Sequence, residues 1–151
     1  MTELPNNFEQ LKSLDRKALK QVYASGTCPN LDDLKGTAKG VVLDPKWFDY
    51  IRLWRGKHFN SSGAGEVKGK NILGIGLFSY QKYQFDVSIE KSLFGDRNIA
   101  YINHDYPVNP GWVRRFHDEM VELQPGFYLA CSHYSLNNSL RYMSYFAFDF
   151  R

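Results

Sequence analysis

The sequence predicts a mainly β protein, an antiparallel up-and-down barrel of about eight strands. A helix precedes the barrel and a short helix follows its first strand. Three observations predict this class. Beyond residue 70 the chain runs through apolar segments of strand length, parted by short stretches rich in Gly, Pro, Asn or Ser. Within one of them, "YQFDVSIE" (83–90), apolar and polar residues alternate, with Phe85, Val87 and Ile89 on one face. Finally, the 11 Phe, 10 Tyr and 3 Trp suit strands, and a sheet so aromatic needs its edges removed, which closure achieves. A barrel of about eight strands has room for side chains or for one small ligand.

The elements follow in order. Phe8, Leu11, Leu19, Val22 and Tyr23 recur at helical spacing, so residues 6–25 read as one amphipathic helix, capped by Asn6 or Asn7 and ended by Gly26. "LKGTAKGVVL" (34–43) is the first strand, with glycines where it bends or where another backbone comes close. Asp44 and Pro45 mark a helix start, so 45–53 reads as a short helix. "WRGKHF" (54–59) is a strand, and "NSSGAGEVKGK" (60–70) a flexible loop. Strands follow at 71–78, 83–90 and 98–106, then a hairpin on either side of Pro125-Gly126, then a last strand over 140–150. The whole of 1–151 reads as one domain, with the barrel over about 31–151.

Composition narrows the function classes. The chain has 151 residues, is 43% hydrophobic and carries a formal charge of +3, with both signs mixed along it. That pattern points away from nucleic acid as the partner. No run reaches the ~18 apolar residues of a membrane span. The polar opening residues and two cysteines without CxxC spacing fit a cytoplasmic protein with free, buried thiols. Four scattered histidines lack HxH or HxxxH spacing, so no metal is expected, and no cofactor is implied. No Gly-x-Ser-x-Gly elbow or phosphate loop is present.

The hairpin "HDEMVELQPGFYLACSHY" (117–134) carries adjacent carboxylates, Asp118 and Glu119, which must point to opposite faces. A turn at Pro125-Gly126 sets Leu123 opposite Tyr128, Glu119 opposite Ser132 and Asp118 opposite His133. In that register Glu119 shares a face with Tyr128, Ala130, Ser132 and Tyr134, which has the small groups and hydroxyls of a cavity wall. Glu119 is therefore expected inside, with Arg115 or a hydroxyl as its partner.

The segments "IRLWRGKHF" (51–59), "NILG" (71–74), "SLFGDRNIAYINHDYPVNP" (92–110), "VRRFHDEMVEL" and "PGFYLA" resemble those of a group of lipocalin-like, calycin-type small barrels. The resemblance spans roughly residues 31–148. Trp54, Arg55, Gly56, Lys57, Asn71, Asn109, Asp118, Glu119 and Tyr128 are among the matching positions. His117 and Ala130 depart from the pattern. It implies the barrel and a ligand cavity, and no particular reaction.

The expected function is therefore the binding of a small apolar or aromatic ligand in a barrel cavity. Arg115, Glu119 and Tyr128 are the expected polar anchors, and Tyr101, Tyr106, Tyr134 and Tyr145 the candidate wall. Glu119 is the candidate catalytic group if the barrel is instead an enzyme, a lyase or isomerase of aromatic or lipid substrates. The third possibility is an interaction module with a filled core. A monomer or homodimer is expected.

Overall fold

Alternating segments carry most of the chain into strands, and the strands close on themselves. The computed structural model describes residues 3–62 and 65–151. The strands are β1 (Gly36–Asp44), β2 (Trp54–Ser61), β3 (Val67–Ile75), β4 (Phe78–Lys91), β5 (Asn98–Asn103), β6 (Phe116–Gln124), β7 (Phe127–Leu136) and β8 (Ser139–Asp149). Each pairs antiparallel with the next, and β8 returns to β1 to close an eight-stranded barrel. The predicted class and strand number both hold.

Local boundaries differ from expectation where side chains cap or turn the backbone. The single helix expected over 6–25 is two, α1 (Phe8–Lys12) and α2 (Arg16–Ser25). Asp15 starts the second by accepting from the Ala18 amide at 2.8 Å. The short helix α3 is Lys46–Ile51. Asp44 does not cap it. Asp44 ends β1, and its carboxylate accepts instead from Arg16 at 2.8 Å and from the Tyr142 hydroxyl. The strand expected over 71–78 stops at Ile75, because Gly76 (φ +58°) turns the chain into β4. Part of the loop expected over 60–70 is strand, since β3 begins at Val67. Residues 63 and 64 of that loop lie outside the described residues.

Two apolar layers result. The inner one draws on every strand, from Ala38 and Phe59 round to Phe146 and Phe148. Its rings interlock edge to face: Phe59 lies 5.1 Å from Phe85 and 5.9 Å from Phe148, and Trp54 lies 5.3 Å from Phe146. A 3-10 turn, Leu31–Asp33, brings Leu31 and Leu34 onto this layer, together with Phe150. The outer layer lies under α1 and α2, where Leu11 and Leu19 pack on Val121, Phe127, Leu129 and Tyr145. Of the two thiols, Cys131 is buried in this layer as expected, whereas Cys28 is exposed. Among the described residues no helix is long and apolar enough to cross a membrane.

Five register shifts interrupt the ladders of the described residues, and three of them bear on the interior site. Between Trp54 and Gly56 the pairing of β2 with β3 slips, so Trp54 and Lys57 both face inward although three residues apart. Tyr83 is the extra residue of β4, held at φ +65°. Leu123 is the extra residue of β6. A bulge reverses the facing of everything beyond it, and bulges recur beside functional sites.

Candidate functional site

The third bulge corrects the expected hairpin register. With Leu123 unpaired, Glu122 faces Tyr128, Asp118 faces Ser132 and His117 faces His133. The expected inner face of β7 is right, since Tyr128 and Ala130 line the interior. The face of β6 is reversed: Asp118 points inward and Glu119 outward. Arg115 is exposed and makes no ion pair with Glu119 among the described residues.

Glu119 instead fastens the β4–β5 connection to the outer wall. Its carboxylate accepts from the Ser92 hydroxyl at 2.5 Å and from the Leu93 amide at 3.1 Å. It also bonds His117 Nε2 at 2.7 Å. Burial opposes its ionisation, but these bonds together outweigh burial and hold its carboxyl below the ordinary carboxylate range. A depressed carboxyl contributes stability above its unfolded pKa and loses it as pH falls through the folded one. Glu119→Gln is therefore expected to cost about 1–2 kcal/mol at neutral pH. The difference should shrink to nothing below the carboxylate range. Urea unfolding of both proteins across that range checks it, and a pH-independent difference would remove this role.

The expected wall residues are dispersed. Tyr101 stacks on His117 at 4.7 Å and lines an outer-wall recess of about 460 Å3, together with Asp86, Glu90, Asn103 and His117. Tyr106 donates to Asp86 at 2.6 Å, and its hydroxyl is pushed up to about 12, first by burial and then by that carboxylate. Tyr145 is buried in the outer layer. Tyr134 donates to the Trp112 carbonyl at 2.9 Å, and its ring packs on Phe116. Tyr128 alone lies deep in the interior, against Phe150.

The interior holds a different polar group, which sequence reasoning missed. Lys57, Asn71, His104, Asp118 and Ser132 are all buried, and the first three are joined by hydrogen bonds. Lys57 Nζ donates to Asn71 Oδ1 at 2.5 Å and lies 3.0 Å from His104 Nε2. Asn71 Oδ1 also accepts from Trp54 Nε1 at 3.1 Å, and its amide nitrogen donates to the carbonyl of the bulged Tyr83 at 3.2 Å. Two of the bulges thus set two members of the cluster. Asn109 fixes a third: its amide donates to the His104 carbonyl at 2.9 Å and to the Gln84 carbonyl at 2.8 Å. Lys57 lies over the Phe85 ring at 4.4 Å.

Burial opposes charge on every titratable member of the cluster. Burial pulls the Lys57 amine down to about 8, against the nearby charge of Asp118. Burial, and then the charge of Lys57, lowers His104 well below its usual range, so the ring is neutral. Burial also raises Asp118, with Lys57 opposing. With Nε2 accepting from Lys57, the His104 proton resides on Nδ1. That atom is 3.8 Å from Asp118 Oδ2, too far for a hydrogen bond. Neither His104 Nδ1 nor Asp118 Oδ1 has a hydrogen-bond partner among the described residues. Such orphan groups each cost roughly 1–3 kcal/mol.

No family model matches the chain, and no curated protein matches it. Among solved structures, the crystal structure of a protein from Thermomonospora curvata is similar, with a TM-score of 0.61 and 13% identity. The likeness covers 90% of this chain and 87% of that one. At that identity it shows the fold alone.

A signal for the interior group was present in the sequence. Lys57, Asn71, Asn109 and Asp118 all fall on the segments that the sequence alone singles out. Trp54, Arg55 and Lys57 are near neighbours within "WRGK". The structure separates them. Trp54 and Lys57 turn inward, while Arg55 turns outward to the Gly76 carbonyl and the Ser79 hydroxyl.

Proposed function

We propose that this protein is a lipocalin-like binder of a small, largely aromatic ligand carrying a hydroxyl group. The observation that carries the reading is two orphan atoms of the interior cluster, His104 Nδ1–H and Asp118 Oδ1, on residues brought together where Nδ1 lies 3.8 Å from the other carboxylate oxygen, Oδ2. A hydroxyl is the group that answers both, accepting from the imidazole and donating to the carboxylate. Around them stand Phe85 and Phe116, whose rings lie 6.0 and 6.4 Å from that of His104 and offer flat apolar contact. The aromatic load of the sequence and its resemblance to lipocalin-like barrels support the same reading. The anchors are then His104 and Asp118, in place of Arg115 and Glu119, with Lys57 beside them.

The test is calorimetric titration with matched pairs of small aromatics, such as cinnamyl alcohol and its deoxy counterpart. The hydroxylated member is expected to bind more tightly. Asp118→Asn preserves the shape and removes the charged acceptor, so it should weaken that member by about tenfold to a hundredfold. The deoxy member should be unaffected. Equal binding of both members, or no effect of Asp118→Asn, would sink the reading.

A further inference from the structure

Lys57 has an unusual set of neighbours for a lysine. Its Nζ lies inside the barrel, and the two groups bonded to it, Asn71 Oδ1 and His104 Nε2, are both uncharged. No carboxylate comes within 4 Å of it among the described residues. A permanent ammonium normally requires a contacting counter-ion in such a place. The surroundings hold a larger share of free amine than an exposed lysine carries, in keeping with a pKa pulled down to about 8. Buried lysines of this kind are the ones that act as nucleophiles toward carbonyl groups.

We propose that Lys57 captures an aromatic or unsaturated aldehyde inside the barrel as an imine, an inference that rests on the binding role proposed above. The amine lone pair adds to the carbonyl carbon and forms the C–N bond. A proton passes from that nitrogen to the former carbonyl oxygen, with His104 Nε2, 3.0 Å away, as the relay. The second amine hydrogen leaves with the oxygen as water, and the C=N bond remains. No oxidant or reductant is consumed. Loss of the amine hydrogens does not orphan Asn71, whose oxygen keeps the Trp54 indole donor. The neutral His104 ring, by moving its proton to Nε2, donates to the imine nitrogen.

Trapping tests this. The protein is incubated with cinnamaldehyde and sodium cyanoborohydride at mildly alkaline pH, then analysed by intact mass and by peptide mapping. The expected result is one reduced adduct per chain, located on Lys57 and formed about tenfold faster than on exposed lysines, since more of this amine is free. Urea should abolish the preference. Lys57→Met should remove the fast adduct, and the peptide map of the unaltered protein decides the matter if that variant fails to fold. Cinnamyl alcohol, which cannot form an imine, is titrated in parallel. If the alcohol binds but Lys57 is not preferentially labelled, imine capture is overturned and the binding role survives. If the alcohol does not bind and Lys57 is not labelled, both are overturned.

Discussion

Gly56→Ala is expected to come close to unfolding the barrel. Gly56 holds φ +135°, a region closed to side chains, and a Cβ there would lie 2.1 Å from the Ala38 carbonyl oxygen. That oxygen belongs to the facing strand and cannot rotate away, so β1 and β2 would have to part. Strain and lost pairing together are expected to cost about 3–5 kcal/mol, a drop in melting temperature of roughly 10–15 °C. Thermal melts of the two proteins measure it. A loss under about 1 kcal/mol would mean that the bulge can relax and that the inward setting of both Trp54 and Lys57 does not depend on this glycine.

The second large effect is expected at Phe59. Its ring is 1% exposed and meets Phe85, Phe148 and Phe150 at 5.1, 5.9 and 5.1 Å. Phe59→Ala removes the hub of that arrangement and should cost about 3–5 kcal/mol, because barrel walls held by hydrogen-bond ladders collapse only partly. Denaturant titration gives the value. An apolar cavity of this origin stays dry and takes up small arenes. Benzene should therefore restore part of the lost stability of the variant while leaving the unaltered protein unchanged. A cost below about 1 kcal/mol, with no response to benzene, would show that neighbouring rings refill the space.

The fold was legible because alternation and turn chemistry are local. "YQFDVSIE" shows its faces directly, and the number of strands follows from the turns between them. The split of the first helix at Ser13 to Asp15 was also open to view, since an aspartate three residues before Ala18 is a ready cap. The site was not legible, because its facing depends on single-residue slips. Leu123 looks like any apolar strand residue, yet as the unpaired member of a bulge it exchanges Glu119 for Asp118 in the interior. The bulge before Gly56 does the same for Lys57. His104 lies outside any strand and is fixed from Asn109, five residues on, a contact that no periodicity announces.

Closure of the barrel bears on the order in which the chain acquires its structure. The final ladder joins Lys39 to Asp149 and Gly40 to Phe148, partners more than a hundred positions apart. A chain emerging from the ribosome holds β1 long before β8 exists. Throughout that interval β1 has one unmatched side, with Val41, Val42 and Leu43 beside it, and each newly made strand is in turn a temporary border of the sheet. Such borders invite pairing with other chains. The helices α1 and α2 are synthesised before the strands of the barrel, and they come to lie on residues of β6, β7 and β8, the last strands of the barrel to be made. Assembly therefore ends in one concerted, long-range event in which the barrel shuts and its helical cover settles. Slow folding follows from this topology, since distant contacts must be found before they stabilise anything.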